Sequence, residues 1–148
     1  MINLKQLQNK YQTIAIDTNI FVYFFNQNPE FGDKTIPIFE LLIEGKIGTA
    51  VTSIIILGEV LTSNKFDAGA LKDIEFHIKK IPNLDLIDVT EDIIKIAAGI
   101  KRDYKFKLPD CIQLATAIFS KSRVFITNNS RLKRFKDVKV LLLQEIKV

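Results

Sequence analysis

The chain has 148 residues, 47% of them hydrophobic, and a formal net charge of +4 at pH 7, which suits one compact domain over residues 1–148 and is short for two. Its lone cysteine, Cys111, excludes an internal disulfide framework, and its lone histidine, His77, excludes both a Cys/His zinc site and a histidine acid–base pair. No apolar run reaches the roughly 20 residues that cross a bilayer and the start lacks a signal-peptide run, so a soluble cytoplasmic protein is expected, with a charge that favours a polyanion such as nucleic acid.

In chain order, Leu4, Leu7 and Tyr11 stand at helical spacing and predict a short helix in an amino-terminal extension over residues 1–12. Thr13 to Ile16 reads as the first strand, Thr18 to Asn26 as an aromatic-rich helix, and Asn28-Pro29 as a turn before a helix from about Thr35 to Glu44 that Gly45 ends. Ile47 to Thr52 follows as a strand, with Ser53 as the N-cap of a helix over Ile54 to Ser63 and a further helix over Ala68 to Ile81. Leu84 to Val89 is the next strand. Thr90 caps a helix whose Ile93, Ala97, Ile100 and Tyr104 form one stripe, and Pro109 opens another that turns Cys111, Leu114, Ala115 and Ile118 inward. Strands at Val124 to Thr127 and Lys139 to Leu143 complete the series. Alternating strands and helices predict an α/β fold, a three-layer α/β/α sandwich around a mainly parallel sheet, in which functional groups gather at the carboxyl ends of the strands.

Acidic side chains mark the rims of these apolar elements. Asp17 follows the first strand, Glu59 interrupts the apolar run from Ile54 to Leu61, and Asp110 lies one residue after Pro109, while Asn128 and Asn129 follow the Val124 strand. Each has a plain structural reading: Asp17 as an N-cap, Asp110 as a charge gaining roughly 0.3–1 kcal/mol from a helix dipole, Glu59 with Thr62 and Ser63 as a narrow solvent face, and the asparagines as a turn. Carboxylates beside buried elements nevertheless cost free energy unless used, and a divalent cation is their commonest user.

Other chemistries on such a sheet lack their residues. An aspartyl-phosphate phosphatase would want an acid where Asn19 stands, a receiver domain would want paired acids before the phosphorylated one, and no Gly-rich phosphate loop or dinucleotide fingerprint occurs. His77 reads as an exposed helix residue, and Cys111 as core rather than a reactive thiol.

Ile14-Ala15-Ile16-Asp17-Thr18-Asn19-Ile20, the Ser53 to Leu61 segment with Glu59, Leu108-Pro109-Asp110-Cys111-Ile112-Gln113-Leu114-Ala115-Thr116-Ala117, and Phe125-Ile126-Thr127-Asn128-Asn129 together resemble the ordered motifs of PIN-domain nucleases. Among these the chain looks most like the VapC ribonuclease toxins of toxin–antitoxin pairs. The resemblance implies a helix-flanked parallel sheet, an acidic cluster binding Mg²⁺ or Mn²⁺, hydrolysis of RNA, a small cognate antitoxin and a homodimer. Two departures stand out: Asn129 replaces the aspartate common in the fourth motif, and about ten residues precede the first strand.

Phosphodiester hydrolysis needs an activated water, stabilisation of the charged transition state and relief of the leaving oxyanion, all of which a cation on oxygen ligands supplies. The expected catalytic set is Asp17, Glu59, Asp110 and Asn129. Asp17 and Asp110 are expected as direct metal ligands, and Glu59 as a direct ligand, a holder of a second ion, or a group acting through a metal water. Thr18, Asn19 and Thr127 are expected to orient the carboxylates or water. For substrate, Lys107, Arg131 and Lys133 flank the proposed site and are expected to meet phosphates. Two alternatives remain at this level: a PIN-like RNA-binding or assembly module with weakened metal chemistry, and a DNA-directed structure-specific nuclease.

Overall fold

Side-chain alternation within each strand assigns the two faces of the sheet. Ile14, Ile16, Val124, Ile126 and Leu141 pack into one hydrophobic cluster, while Ala15, Val51, Phe125, Val140 and Leu142 pack into the other. Successive residues of a strand point to opposite faces, so strands covered on both sides read as continuous apolar runs.

The computed structural model describes residues 1–148. In chain order its elements are β1 (Ile2–Asn3), α1 (Leu4–Lys10), β2 (Thr13–Ile16), α2 (Thr18–Phe25), α3 (Gly32–Ile43), β3 (Thr49–Ser53), α4 (Ile55–Leu61), α5 (Ala68–Lys80), β4 (Leu84–Ile87), α6 (Glu91–Tyr104), α7 (Leu108–Phe119), β5 (Val124–Thr127), a 3₁₀ turn (Ser130–Arg134), β6 (Lys139–Leu142), a second 3₁₀ turn (Leu143–Glu145) and β7 (Ile146–Lys147). Strands β4-β3-β2-β5-β6 form a five-stranded sheet whose pairings are all parallel. Core residues of α1 to α5 cover one face, and those of α6 and α7 with Leu132 and Phe135 cover the other. The result is the expected three-layer α/β/α sandwich.

Strand order places the site. The chain runs from β2 outward through β3 to β4, then returns to lay β5 on the opposite side of β2. Connections leave β2 and β5 in opposite directions, which opens a crevice beyond their carboxyl ends, the usual ligand position in open parallel sheets. The register sets Ile16 beside Ile126, and the backbone N–H of Asp17 donates to the carbonyl of Ile126 at 2.9 Å. Asp17 and the residues after Thr127 therefore start from neighbouring points.

Some local boundaries differ from the sequence reading. Helix α3 begins at Gly32, earlier than Thr35, and carries Pro37 within it. Asn28 accepts from the backbone N–H groups of Glu30 and Phe31 at 2.9 Å each, and the Thr35 hydroxyl donates to the Gly32 carbonyl at 2.7 Å, which organises the earlier turn. Ser53 ends β3, and the N-cap of α4 is Ile54; the Ser53 hydroxyl accepts only from the backbone of Ile55, at 3.3 Å. At the termini, β1 pairs with β7 in a separate two-stranded parallel sheet.

Candidate active site

Asp17 stands where β2 passes into α2 and serves that helix as N-cap, with Oδ1 accepting from the Thr18 backbone N–H at 2.8 Å. The plain capping reading and a functional one thus coincide on one side chain. Oδ2 accepts from the Thr127 hydroxyl at 2.6 Å and from the Asn19 side-chain amide at 3.4 Å. Asp17 is only 5% exposed. Burial raises its pKa to about 7, with nearby Asp110 and Glu59 pushing the same way, against the lowering effect of the Thr127 and Thr18 bonds. A carboxylate in that state binds a proton, or another cation, more readily than an exposed one does.

Glu59 rides on α4 and is exposed as a residue, yet its Oε1 accepts from the Thr18 hydroxyl at 2.7 Å. Asp110, half-buried, lies in the first turn of α7 after Pro109. Desolvation raises both pKa values; Asp110 repels Glu59, and the Lys107 and Arg131 charges hold Asp110 down. Asp17, Thr18, Asn19, Glu59 and Asp110 line one groove, together with Val22, Tyr23, Ser63 and Lys65. An adjoining cleft of about 520 Å³ is bounded by Glu59, Lys107, Pro109, Asp110, Asn129 and Arg131.

Asn129 takes a specific place. Its Oδ1 accepts from the Arg131 backbone N–H at 3.1 Å and caps the 3₁₀ turn Ser130–Arg134, while its own backbone N–H donates to the Thr127 hydroxyl at 3.0 Å. Because that hydroxyl has one proton, accepting from Asn129 leaves it free to donate to Asp17. Asn19 links the same strands, accepting from the Asn128 backbone at 3.3 Å and approaching Thr127 at 3.4 Å.

The expected basic residues separate into two kinds. Lys107 and Arg131 border the clefts beside Asp110. Lys133 borders the larger cleft of about 660 Å³, but its ammonium donates to both Glu145 oxygens at 2.6 and 2.7 Å and to the Val140 carbonyl at 2.9 Å. Its ammonium is paired with Glu145 within the fold, with 44% of the side chain still exposed. Arg134 is similarly engaged, donating to the Tyr104 carbonyl and lying 4.7 Å from the Phe106 ring centroid. His77 is exposed and Cys111 buried, as read from the sequence.

All candidate donors are carboxylate, amide or hydroxyl oxygens, the chemistry of a hard divalent cation. Crowded acids with raised pKa values have the same requirement, a counter-charge. No group of three or more His, Cys, Asp or Glu side chains is closed into a ready-made ligand shell. Asp17 and Glu59 are instead held by Thr127, Thr18 and Asn19. The donor chemistry fits such an ion.

One residue escaped the sequence reading. Gln113, 2% exposed on α7, donates from Nε2 to the Thr18 hydroxyl at 3.2 Å. The available signal was a long polar side chain three residues after Asp110, inside the otherwise apolar run Cys111 to Ala115.

The family model described as PIN domain matches residues 14–138. No match emerges among curated proteins. Similar solved structures include a toxin–antitoxin complex from Klebsiella pneumoniae, at 22% identity over 88% of this chain and 97% of that one, with a TM-score of 0.67. VapBC2 from Rickettsia felis bound to a promoter DNA fragment follows at 21% identity, 88% and 98% coverage and TM-score 0.65. VapBC-1 from nontypeable Haemophilus influenzae matches at 18% identity, 89% and 98% coverage and TM-score 0.63. At these identities the likeness is one of fold.

Proposed function

This chain belongs to the PIN domain family, and from that premise we propose that it is a metal-dependent endoribonuclease hydrolysing RNA phosphodiester bonds, the toxin of a type II toxin–antitoxin pair. The observation that carries this reading is the meeting of Asp17, Glu59 and Asp110 around one groove, with Lys107 and Arg131 on its margin. Acids supply oxygen donors and flanking cations meet a polyanionic substrate.

Asp17, Asp110 and Glu59 are the residues that would hold Mg²⁺, with Mn²⁺ able to substitute because both are hard cations suited to oxygen donors. A bound ion there would acidify a water and offset charge on the reacting phosphate. The protein's own contributions are positional. Thr127 and Asn19 hold one Asp17 oxygen, Thr18 holds the other through its backbone and Glu59 through its hydroxyl, so the acids present defined lone pairs. Asn129 caps the turn that carries Arg131. Lys107 and Arg131 would align the RNA backbone by its phosphates, without reading sequence.

The similar structures are toxin–antitoxin and VapBC complexes, which supports a small cognate antitoxin as partner. A homodimer and a cytoplasmic setting complete the proposal. The free, buried Cys111 suits a reducing compartment, and no helix is long and apolar enough to cross a membrane.

A second reading has its own observation. Asn129 brings no charge and its oxygen is committed to a cap, which suits an RNA-binding or assembly module with weakened metal chemistry. Incubating labelled RNA and DNA with Mg²⁺ or Mn²⁺, for wild type, Asp17→Ala and Asp110→Ala, decides between them. Metal-stimulated RNA cleavage lost in both variants is the expected result. Cleavage that survives both substitutions removes this site from the chemistry, RNA binding without cleavage selects the second reading, and cleavage confined to DNA overturns the choice of substrate.

A further inference from the structure

We propose that Gln113 is a positioning residue for Glu59, acting through the hydroxyl of Thr18; this rests on the reading of Glu59 as part of a cation site. Gln113 is almost wholly enclosed and its amide bridges three elements. Its Oε1 accepts from the Ser53 backbone N–H at 3.1 Å and from the Thr52 hydroxyl at 3.4 Å, both at the carboxyl end of β3. Its Nε2 donates to Thr18 Oγ1 at 3.2 Å, and Thr18 donates in turn to Glu59 Oε1 at 2.7 Å.

The direction of this relay follows from what each group can do. A backbone N–H only donates, so the end of Gln113 that meets Ser53 must be its oxygen, and the end that meets Thr18 must be its NH₂ group. Thr18 then has to accept from Gln113. A hydroxyl owns a single proton, and with its acceptor side occupied that proton is directed to Glu59. Reversing the amide would set two donors against each other at Ser53 and give Thr18 an acceptor that competes with Glu59 for its proton. The backbone of β3, through Gln113, thereby decides that Glu59 accepts from Thr18 and that one of its carboxylate oxygens is held. Glu59 Oε2 makes no hydrogen bond within the protein and remains available on a residue that lines the cleft.

A glutamine serving only to satisfy β3 would fill Ser53 and Thr52 and leave the ion site indifferent. A positioning glutamine affects ion affinity through Thr18 alone. The test is Mn²⁺ titration followed by electron paramagnetic resonance, without RNA, on folded wild type, Gln113→Met, Thr18→Val, Thr18→Ser and the Gln113→Met/Thr18→Val double variant. Losing a group that orients a ligand typically weakens affinity about 10- to 100-fold, so Gln113→Met and Thr18→Val should each weaken Mn²⁺ at least tenfold. The double variant should bind no more weakly than Thr18→Val, and Thr18→Ser should stay within about twofold of wild type because it keeps the hydroxyl. Unchanged affinity in Gln113→Met, or losses that multiply in the double variant, overturns the proposal.

Should Gln113→Met fail to fold, proton NMR of the metal-free wild type decides. A slowly exchanging Thr18 hydroxyl proton with cross-peaks to the Gln113 amide protons is expected, and a rapidly exchanging one refutes the relay. If wild type binds no Mn²⁺ at all, the cation-site reading fails, while the NMR measurement still judges the hydrogen-bond chain by itself.

Discussion

Replacing Asp17 by asparagine should flatten the pH dependence of stability in the ion-free protein and so reverse the ranking of the two proteins between acid and alkaline pH. Asp17 carries a folded-state pKa of about 7 against an ordinary value of 3.8. Between those values the unfolded chain has already released the proton that the folded chain retains. Stability tied to this group is therefore fully present below about pH 4 and is lost as pH rises through 7. A displacement of about three pH units at 1.36 kcal/mol each corresponds to a loss on the order of 4 kcal/mol, a large share of the roughly 5–15 kcal/mol available to a domain. Glu59 and Asp110 are displaced in the same direction.

The substituted asparagine side chain cannot ionise, so position 17 stops contributing to the slope. It cannot satisfy both the Thr18 N–H and the Thr127 hydroxyl as acceptors, which costs roughly 1–3 kcal/mol at every pH. Wild type should be the more stable protein near pH 4 and Asp17→Asn the more stable near pH 8. Urea denaturation followed by circular dichroism at intervals from pH 4 to 8.5, with chelator present, reads both curves. Parallel curves would show that the burial assigned to Asp17 does not govern its ionisation, and the electrostatic account of the site would fall.

Three further outcomes follow from the same geometry. Mn²⁺ affinity should strengthen from pH 5 toward 7.5, because the raised carboxyl pKa values make protons compete with the ion; calorimetric titrations giving equal affinity at both pH values contradict this. Arg131→Ala should weaken RNA binding and reduce the salt slope of log K by about one, whereas Lys133→Ala should leave binding nearly unchanged and lower stability by about 1 kcal/mol through loss of its Glu145 pair, as filter binding across salt and thermal melts would show. Asn129→Asp should keep the cap and tighten Mn²⁺, while Asn129→Ala should cost about 1 kcal/mol without a gain in affinity; an aspartate variant with unaltered Mn²⁺ binding would place residue 129 outside the ion site.

Local rules made much of the architecture legible. Continuous apolar runs marked β2 and β5, the Ile93–Ala97–Ile100 stripe marked α6 and Thr90 its cap. Asp17, Glu59 and Asp110 stood out because each charge interrupts or ends such a run. The fate of the basic residues was not legible. Lys133 and Arg131 read alike in sequence, and only the return of Glu145 beside Lys133 separates a structural ammonium from a cation at the cleft. Asn129 drew notice as a missing charge, while its capping bond to Arg131 depended on the turn actually formed.

The sequence by itself determined the elements, the faces they bury and the oxygen-rich chemistry at their ends, because propensity, periodicity and capping act over a few neighbouring residues. Tertiary structure alone decided the strand order that lays β5 against β2, the β1–β7 pairing of the chain ends, and the hydrogen bonds that hold the acids. Asp17 meets Thr127 across 110 positions, and Thr18 meets Gln113 across 95. Such pairs leave no periodic trace in the chain, since their partners are chosen by how whole layers pack, and a buried polar group must find its partner wherever that packing delivers one.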